Sequence, residues 1–421
     1  MLKHKILGVI AAVLMMFFGY VSPGAQAVPT DKLIASGEFL LSPQKCANPE
    51  HPEKFGAKHV AIVFATDREL ACNKKGEPQG FTSKRSKNGL HYGIVVLHLD
   101  KVKAVMSTEP KLCPHTRLMK SIVHKIDTPF QKNSHIESVE LVPTRAKLFE
   151  RMPDLMKKYG YDKVIVRVHG YNNDWTYSVR KSGEFAYWSN CLVINWAWPS
   201  DAKKRSYFAA SVNAEWTLKN FEEFVDALAA DSRFGGPNNI GLTGHSMGTR
   251  IIFWYEKLRY EKLSRTCPGD GNLVSIQMMQ EVQPLPDKDR FWFTQFASPD
   301  MDTETYCHDG TRVVACTEKD KVFNYISKYD HPLRWSKGIN GYTRLGRAGV
   351  DLDWKVPPKV DGVTTIDFSR ADHGPTGHAE PQWLESDMAR YGKPRAPWWL
   401  QQKTQDNAHF FELLKDEGCR N

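Results

Sequence analysis

A regular alternation of short apolar runs and longer amphipathic runs is the feature of this sequence that most restricts its fold. The runs of strand length lie at 164–168, 192–196 and 240–244, and runs with helical periodicity lie at 175–188, 208–230 and 248–263. Apolar strands separated by helices are typical of βαβ units, in which helices cover both faces of a parallel sheet. The sequence therefore predicts an α/β fold with a doubly wound, mostly parallel sheet.

Further strand patterns lie on both sides of this region, at 60–65, 93–99, 139–142, 291–297, 322–326 and 364–368. The 421 residues, with 41% hydrophobic and 25% charged content, are sufficient for a full core and exclude a disordered or fibrous chain. We predict a catalytic α/β domain over 135–395, preceded by an N-terminal β extension over 28–134 that packs on it. Residues 396–421 are predicted to form a C-terminal tail.

The first 27 residues have the composition of a secretory signal peptide. Met1–Lys5 is short and basic, residues 6–21 are almost wholly apolar, and Ala25-Gln26-Ala27 resembles a cleavage site. The apolar run is shorter than the ~20 residues that usually span a bilayer. We expect export to a periplasm or the extracellular medium, with no transmembrane segment in the mature protein.

The formal net charge of +9 does not predict a nucleic-acid partner. Basic runs occur at Lys84-Arg85-Ser86-Lys87 and Lys203-Lys204-Arg205, but no motif that interleaves them with aromatic residues accompanies them. We expect a solvated basic surface that faces anionic envelopes or acidic substrates.

The even number of cysteines, eight, indicates disulfide bonds in an exported protein. Cys307 and Cys316 are close enough in sequence to close a local loop, so we predict a disulfide between them. A metal site at Cys307, His308 and Cys316 is a weaker alternative, because no second ligand pair accompanies them.

Gly244-His245-Ser246-Met247-Gly248 is a G-x-S-x-G motif between a predicted strand and a predicted helix. In this context the sharp turn presents the serine oxygen above a helix N-terminus, and glycines flank it because the backbone neighbours are close. Ser246 is therefore predicted to be a nucleophile.

An acyl-transfer serine also needs two N–H donors for the oxyanion. His169-Gly170-Tyr171-Asn172 follows a predicted strand at the position of the first donor loop. We predict the backbone amides of Tyr171 and Met247 as the donors. His169 precedes the serine and is expected to brace the loop rather than to act as a base.

The base and its acid partner are expected after the serine, the acid at a strand end and the histidine beyond the last strand. Asp330 follows the strand at 322–326 and is the first choice for the acid, with Asp300 and Asp302 after the preceding strand as alternatives. His378 is favoured as the base over His373. A metal site made by these two histidines lacks a third ligand and is the weaker interpretation.

The motifs, in their order, resemble those of a bacterial α/β-hydrolase family known as domain of unknown function nine hundred. The matching motifs are Ala65-Thr66-Asp67-Arg68, Tyr92-Gly93, His169-Gly170-Tyr171-Asn172, Trp198-Pro199-Ser200, His245-Ser246-Met247-Gly248, Ser298-Pro299-Asp300-Met301-Asp302, Ser327 with Asp330, Arg344-Leu345-Gly346 and Gly377-His378. The resemblance implies an α/β-hydrolase fold and a triad of Ser246, Asp330 and His378. It implies no particular substrate.

The motifs together predict an exported serine hydrolase that cleaves carboxylic esters of small molecules or lipids through an acyl-enzyme. The mechanism requires no metal or organic cofactor. Trp196, Trp198, Tyr207, Trp254 and Trp335 are candidates for an apolar pocket, with one or two of them expected to line it. The alternatives are a peptidase, amidase or acyltransferase with the same triad, and a non-catalytic envelope binding protein on a hydrolase scaffold.

Overall fold

Eleven of the strands that the computed structural model describes form one large, mostly parallel sheet, and the two strands at Arg68–Cys72 and Pro78–Arg85 form a separate antiparallel pair. The structure describes residues 59–75, 78–99, 134–201, 206–264, 282–327, 329–347, 360, 362–367, 378, 400–404 and 407–413. Its helices are α1 (Arg145–Tyr159), α2 (Trp175–Ser189), α3 (Tyr207–Trp216), α4 (Leu218–Ala230), α5 (Gly248–Ser264), α6 (Thr303–Cys316) and α7 (His331–Asn340). Its strands are β1 (His59–Thr66), β2 (Arg68–Cys72), β3 (Pro78–Arg85), β4 (His91–Leu99), β5 (Ser134–Val142), β6 (Val164–Val168), β7 (Leu192–Trp196), β8 (Ile240–His245), β9 (Phe293–Ala297), β10 (Val322–Ile326), β11 (Val363–Asp367), β12 (Leu400–Thr404) and β13 (Asn407–Leu413).

The strand order within the described residues is β12-β13-β11-β10-β9-β8-β6-β7-β1-β4-β5. Each pair of neighbouring strands between β11 and β1 in this order is parallel. At the far edge, β4 pairs antiparallel with both β1 and β5. β1 is hydrogen bonded directly to β7, so the N-terminal strands continue the central sheet. Two strands lie within the predicted tail at the other edge: β13 pairs in parallel with β11, and β12 pairs antiparallel with β13.

The central strands are buried on both faces, as the absence of polar alternation predicts. Every residue of β6, β7, β9 and β10 is buried. A strand with no exposed side chain must have helices against both sides of the sheet, because successive side chains point to opposite faces. The predicted doubly wound α/β class is therefore confirmed.

The structure adds elements that were not predicted, including β2, β3, α6 and α7, and the long helix expected at 208–230 differs from the observed structure. It is divided at Thr217 into α3 and α4. The hydroxyl of Thr217 accepts a 3.2 Å hydrogen bond from Nε1 of Trp196 and donates to the buried carboxylate of Asp67. Local periodicity could not indicate this break, because it is stabilised by contacts with distant parts of the chain.

The predicted disulfide between Cys307 and Cys316 is wrong. Both residues lie on α6, a 14-residue helix, and Cys316 is a free, buried thiol. The helical rise of about 1.5 Å per residue separates the two Cα atoms by about 14 Å, whereas a disulfide requires roughly 4.4–6.8 Å. Sequence proximity indicated a local loop, but the segment is helical and places the two positions far apart.

The predicted signal peptide at 1–27 lies outside the described residues. Among the helices that the structure describes, none combines the length and the apolar character needed to cross a bilayer.

Candidate active site

Ser246 lies in a sharp turn between β8 and α5, at the carboxyl end of a central strand. Its φ of +52° is in the left-handed region, which a non-glycine residue adopts only where the surroundings impose it. The backbone N–H donates to the carbonyl of Ala297 at 2.8 Å, and the carbonyl accepts from the N–H of Asp300 at 3.2 Å. The neighbouring β9 end therefore holds the strained turn in place.

The two glycines of the motif are required because the backbone neighbours leave no space for a side chain. A Cβ at Gly248 would lie 2.4 Å from the carbonyl oxygen of His169, and one at Gly244 would lie 2.9 Å from the Cα of Thr249. These distances to backbone atoms are too short for any substituted residue. The G-x-S-x-G pattern thus follows from close packing of the turn against β6 and α5.

The loop after β6 lies directly against the serine turn. A Cβ at Gly170 would lie 2.9 Å from the Cβ of Ser246 and 2.8 Å from Nδ1 of His245. The backbone that leads into Tyr171 therefore lies beside Ser246, as its predicted role as an oxyanion donor requires. Met247 is fully buried and immediately precedes α5, so its N–H belongs to the helix N-terminus, where amides have no intrahelical acceptor.

His169 is a neutral, structural residue in this loop. It is fully buried, its ring stacks on Trp198 at 5.2 Å, and its carbonyl accepts a 2.6 Å hydrogen bond from Nε1 of Trp198. Burial, reinforced by the nearby positive charge of Arg68, holds the pKa of His169 well below its usual range. The expected bracing role agrees with these contacts.

Arg68, whose role the sequence did not indicate, joins the loops that follow two neighbouring strands. Its guanidinium donates to the carbonyls of Ala197 at 3.3 Å, Ser200 at 3.0 Å and Asn173 at 2.9 Å. The side chain is 1% exposed, and burial lowers its pKa to about 10. The only sequence feature that could have indicated a role for Arg68 was its position directly after a predicted strand, in the Thr66-Asp67-Arg68 motif.

Asp330 and His378 are in direct contact. Nδ1 of His378 lies 2.6 Å from Oδ2 of Asp330, and the carboxylate is fully buried. His378 is also adjacent to the serine turn, because its backbone carbonyl lies 3.1 Å from Nε2 of His245 and the two rings are 4.8 Å apart. The structure therefore places Ser246, Asp330 and His378 in one region at the carboxyl ends of β8 and β10.

The alternative acids have other partners. Oδ2 of Asp300 accepts from Arg250 at 3.0 Å and from the hydroxyl of Tyr207 at 2.7 Å. Its Oδ1 accepts from Ser336 at 2.6 Å and lies 3.3 Å from Nε of Arg344. Both oxygens are thus occupied by a buried ion-pair network.

Asp302 caps a helix rather than facing the serine. Its side chain accepts from the N–H of Thr305 at 2.9 Å, at the start of α6. The alternative base His373 lies outside the described residues. His308, one of the three residues of the alternative metal site, is on α6, and its Nδ1 lies 3.3 Å from Oδ1 of Asp309.

The pocket candidates divide into core and surface residues. Trp196 and Trp198 are fully buried, whereas Trp335 is 39% exposed and its ring lies 5.7 Å from that of Tyr207. Phe208, which the sequence did not indicate, is 68% exposed beside Tyr207. The ring of Tyr207 also packs against the ring of Tyr171, with 5.5 Å between their centres. These four rings, Tyr171, Tyr207, Phe208 and Trp335, form what we call the aromatic shelf.

A known protein family matches the part of the chain that contains this site. The family described as alpha/beta hydrolase of unknown function (DUF900) matches residues 145–383, which include Ser246, Asp330 and His378. No protein with curated annotation shows significant sequence similarity to the chain.

Several solved structures show a more distant similarity. Carboxyl esterase 2 from the mycorrhizal fungus Tuber melanosporum is 14% identical, with 54% of this chain and 79% of that chain covered and a TM-score of 0.25. An esterase/lipase from an uncultured bacterium is 10% identical, with 64% and 97% covered and a TM-score of 0.27. A hyperthermophilic esterase from the archaeon Pyrobaculum calidifontis is 10% identical, with 66% and 98% covered and a TM-score of 0.26.

Proposed function

We propose that this chain, which belongs to the alpha/beta hydrolase family of unknown function (DUF900), is a serine hydrolase that cleaves carboxylic esters through an acyl-enzyme. The observation that carries the proposal is the contact of 2.6 Å between His378 and Asp330, beside a serine held at a φ of +52°. Acyl transfer requires a nucleophile, a base that takes its proton, and an acid that orients the base.

In the proposed reaction, Nε2 of His378 removes the hydroxyl proton of Ser246 as Oγ attacks the ester carbonyl carbon. The Nδ1–H donates to Asp330, which keeps Nε2 unprotonated in the resting enzyme and stabilises the imidazolium that forms. The backbone amides of Tyr171 and Met247 donate to the oxyanion of the tetrahedral intermediate.

Collapse of this intermediate breaks the bond to the alcohol, which leaves with the proton from His378. Water then attacks the acyl-enzyme, with the same histidine as base, and the carboxylic acid is released from Ser246. Every proton transfer in both halves of the reaction uses one imidazole, so the cycle regenerates the resting enzyme.

The aromatic shelf supports an ester with an apolar acyl or alcohol group. Phe208 and Trp335 expose large apolar surfaces, and Tyr171 connects the shelf to the proposed oxyanion loop. Exposed aromatic rings beside a site that carries a few polar groups are typical of small-molecule binding. A peptidase, amidase or acyltransferase would use the same triad, so the leaving group must be identified with substrates.

Labelling with a fluorophosphonate, read by intact mass, tests the nucleophile. We expect one adduct on the wild-type protein and none on Ser246→Ala. Ser298→Ala is the matched control, because Ser298 is a buried serine with a positive φ of 45° at the end of the adjacent strand. An unlabelled wild-type protein would favour the non-catalytic binding protein instead.

A panel of p-nitrophenyl esters and p-nitroanilides tests the leaving group. We expect ester hydrolysis that depends on Ser246, with higher kcat/KM for longer acyl chains, and little anilide hydrolysis. Faster anilide than ester turnover would identify an amidase or peptidase. Transfer to an added alcohol in preference to water would identify an acyltransferase.

We also propose that the protein is exported, because residues 1–27 have the charged, apolar and small-residue regions of a signal peptide. Intact mass of the protein recovered from a secreting host tests this point. The expected mature chain begins at Val28, and a chain that retains residues 1–27 would contradict export by this route.

A further inference from the structure

Three histidines form a row across the antiparallel edge of the sheet, at the end opposite to Ser246. His59 begins β1 and pairs in register with His98 on β4, which in turn pairs with His135 on β5. Directly opposed residues in antiparallel strands have their side chains on the same face. Pairing across three strands therefore brings the imidazoles together, although His59 and His98 are 39 residues apart in sequence.

An irregularity in the pairing brings a carboxylate to this row. The register of β4 and β5 shifts between Val96 and Leu97, and as a result Glu137 has no residue opposite it. Oε2 of Glu137 lies 3.1 Å from Nε2 of His59. The same nitrogen of His59 lies 3.1 Å from Nδ1 of His98. The three ligand-type atoms all lie within 4.8 Å of one another.

Two of these separations, 3.1 Å each, are close to the spacing of ligand atoms around one small metal ion. Zinc bonds to imidazole nitrogen and carboxylate oxygen are about 2.0–2.2 Å long, so two ligand atoms in a tetrahedron are about 3.3 Å apart. Two nitrogens and one carboxylate oxygen form a donor set that suits borderline ions such as Zn²⁺ better than Ca²⁺ or Mg²⁺.

The cluster is also accessible to an ion from solvent. The side chains of His59 and Glu137 are 44% and 47% exposed. Water can therefore reach the position that three protein ligands leave open. The ring of His135 lies 4.9 Å from that of His98 and packs beside the cluster without contributing to the three converging atoms.

We propose that His59, His98 and Glu137 form a binding site for a divalent transition-metal ion, with Zn²⁺ as the probe. The ion links β1, β4 and β5, which are otherwise joined at this edge by backbone pairing and side-chain packing. An ion that binds the folded chain and not the unfolded chain stabilises the fold. The free energy of unfolding then rises with the logarithm of the ion concentration once that concentration exceeds the Kd. The site is independent of the proposed catalytic chemistry.

The test uses the full mature chain, freed of its affinity tag and treated with a chelator. Zinc binding is measured by competition with a chromophoric chelator, and thermal unfolding is measured with and without ZnCl₂. We expect one zinc ion per chain, a rise in Tm with Zn²⁺, and no rise with the same concentration of CaCl₂.

The variants His98→Gln and Glu137→Gln should each weaken zinc binding at least tenfold, since even the loss of an outer-shell partner costs about 10–100-fold. Each variant should also lose the Tm rise, judged against its own zinc-free Tm. His308→Gln is the matched control, because His308 is 75% exposed and lies on α6. It should bind zinc as the wild type does.

Two results would overturn the proposal. One is a Kd for zinc of about 1 mM or higher in the wild type. The other is equal affinity in the wild type and His98→Gln. Either result would leave the cluster as a hydrogen-bonded surface feature of the sheet edge.

Discussion

Nδ1 of His378 lies 2.6 Å from Oδ2 of Asp330, although 48 residues separate the two positions along the chain. The second carboxylate oxygen, Oδ1, accepts a 2.8 Å hydrogen bond from the N–H of Leu333 and so caps α7. Asp330 therefore has a structural role at a helix N-terminus and a contact that orients the imidazole. The two roles use different oxygens, so they can be separated by substitution.

Asp330→Asn should lower kcat by roughly 10⁴-fold while α7 keeps its cap, because an amide still accepts at Oδ1 but no longer selects the correct imidazole tautomer. Asp330→Ala should show the same loss of kcat and an additional loss of about 1 kcal/mol in the free energy of unfolding. Steady-state kinetics and urea unfolding measure the two effects. An asparagine variant with near wild-type kcat would contradict Asp330 as the acid.

Asp300→Asn should affect stability more than chemistry. Replacing the buried carboxylate leaves Arg250 and Arg344 without their anionic partner, which should lower the free energy of unfolding by about 3 kcal/mol. Glu140→Gln is the control, because the Glu140–Arg151 pair is exposed and worth under about 1 kcal/mol. Urea unfolding compares them. Folded Asp300→Asn protein that fails to react with a fluorophosphonate would indicate a catalytic role for Asp300.

Gly170→Ala should abolish serine reactivity, because the new Cβ would lie 2.9 Å from the Cβ of Ser246 and displace the proposed oxyanion loop. The control is Gly338→Ala on α7, where a Cβ meets nothing within 4 Å. That variant should be stabilised by up to about 1 kcal/mol, because alanine is the better helix former. The rate of fluorophosphonate labelling is measured for the two variants and the wild type, and urea unfolding measures the stability of Gly338→Ala. Normal labelling of Gly170→Ala would exclude a tight contact between this loop and the nucleophile.

Glu256 should make the protein less stable as the pH rises from about 4.5 to 8. Burial raises its pKa to about 8, and its Oε2 has no hydrogen-bond partner among the described residues. In this window the unfolded chain releases the proton while the folded chain retains it, so unfolding becomes easier by up to about 1.4 kcal/mol per pH unit.

Glu256→Gln removes this ionisation and keeps an oxygen that accepts from Thr294 and Thr317. The stability of the variant relative to the wild type should therefore increase between pH 5 and pH 8. Taking the difference cancels other buried groups, including Asp67, whose pKa burial raises to about 6. Urea unfolding at a series of pH values provides the measurement, and a constant difference would mean that the pKa of Glu256 is not raised in the folded chain.

Trp335→Ala should reduce kcat/KM for long-chain esters by roughly tenfold and leave acetate esters nearly unchanged, because it removes part of the aromatic shelf. Val139→Ala, which changes an apolar side chain that is 44% exposed on edge strand β5, is the control. The p-nitrophenyl ester panel separates the two. Equal losses for short and long chains would place Trp335 outside the acyl-binding surface.

Local sequence patterns were sufficient for the parallel sheet and for the position of Ser246. The bounds of β6 and β7 agree with their predicted runs, because a short apolar run is recognised from residues within a few positions of each other. The turn that holds Ser246 was also predicted from local sequence, because its glycines are adjacent to the strand and helix that require them.

The tertiary structure decided the partners of side chains that are distant in sequence. It placed the Asp300 carboxylate among Arg250, Arg344 and Tyr207, and it placed Asp330 against His378. It also made a helix of the segment with the predicted disulfide, and it brought His59, His98 and Glu137 together across three strands. These outcomes depend on strand order and register, which arise when the whole sheet packs and are not encoded in any short run of residues.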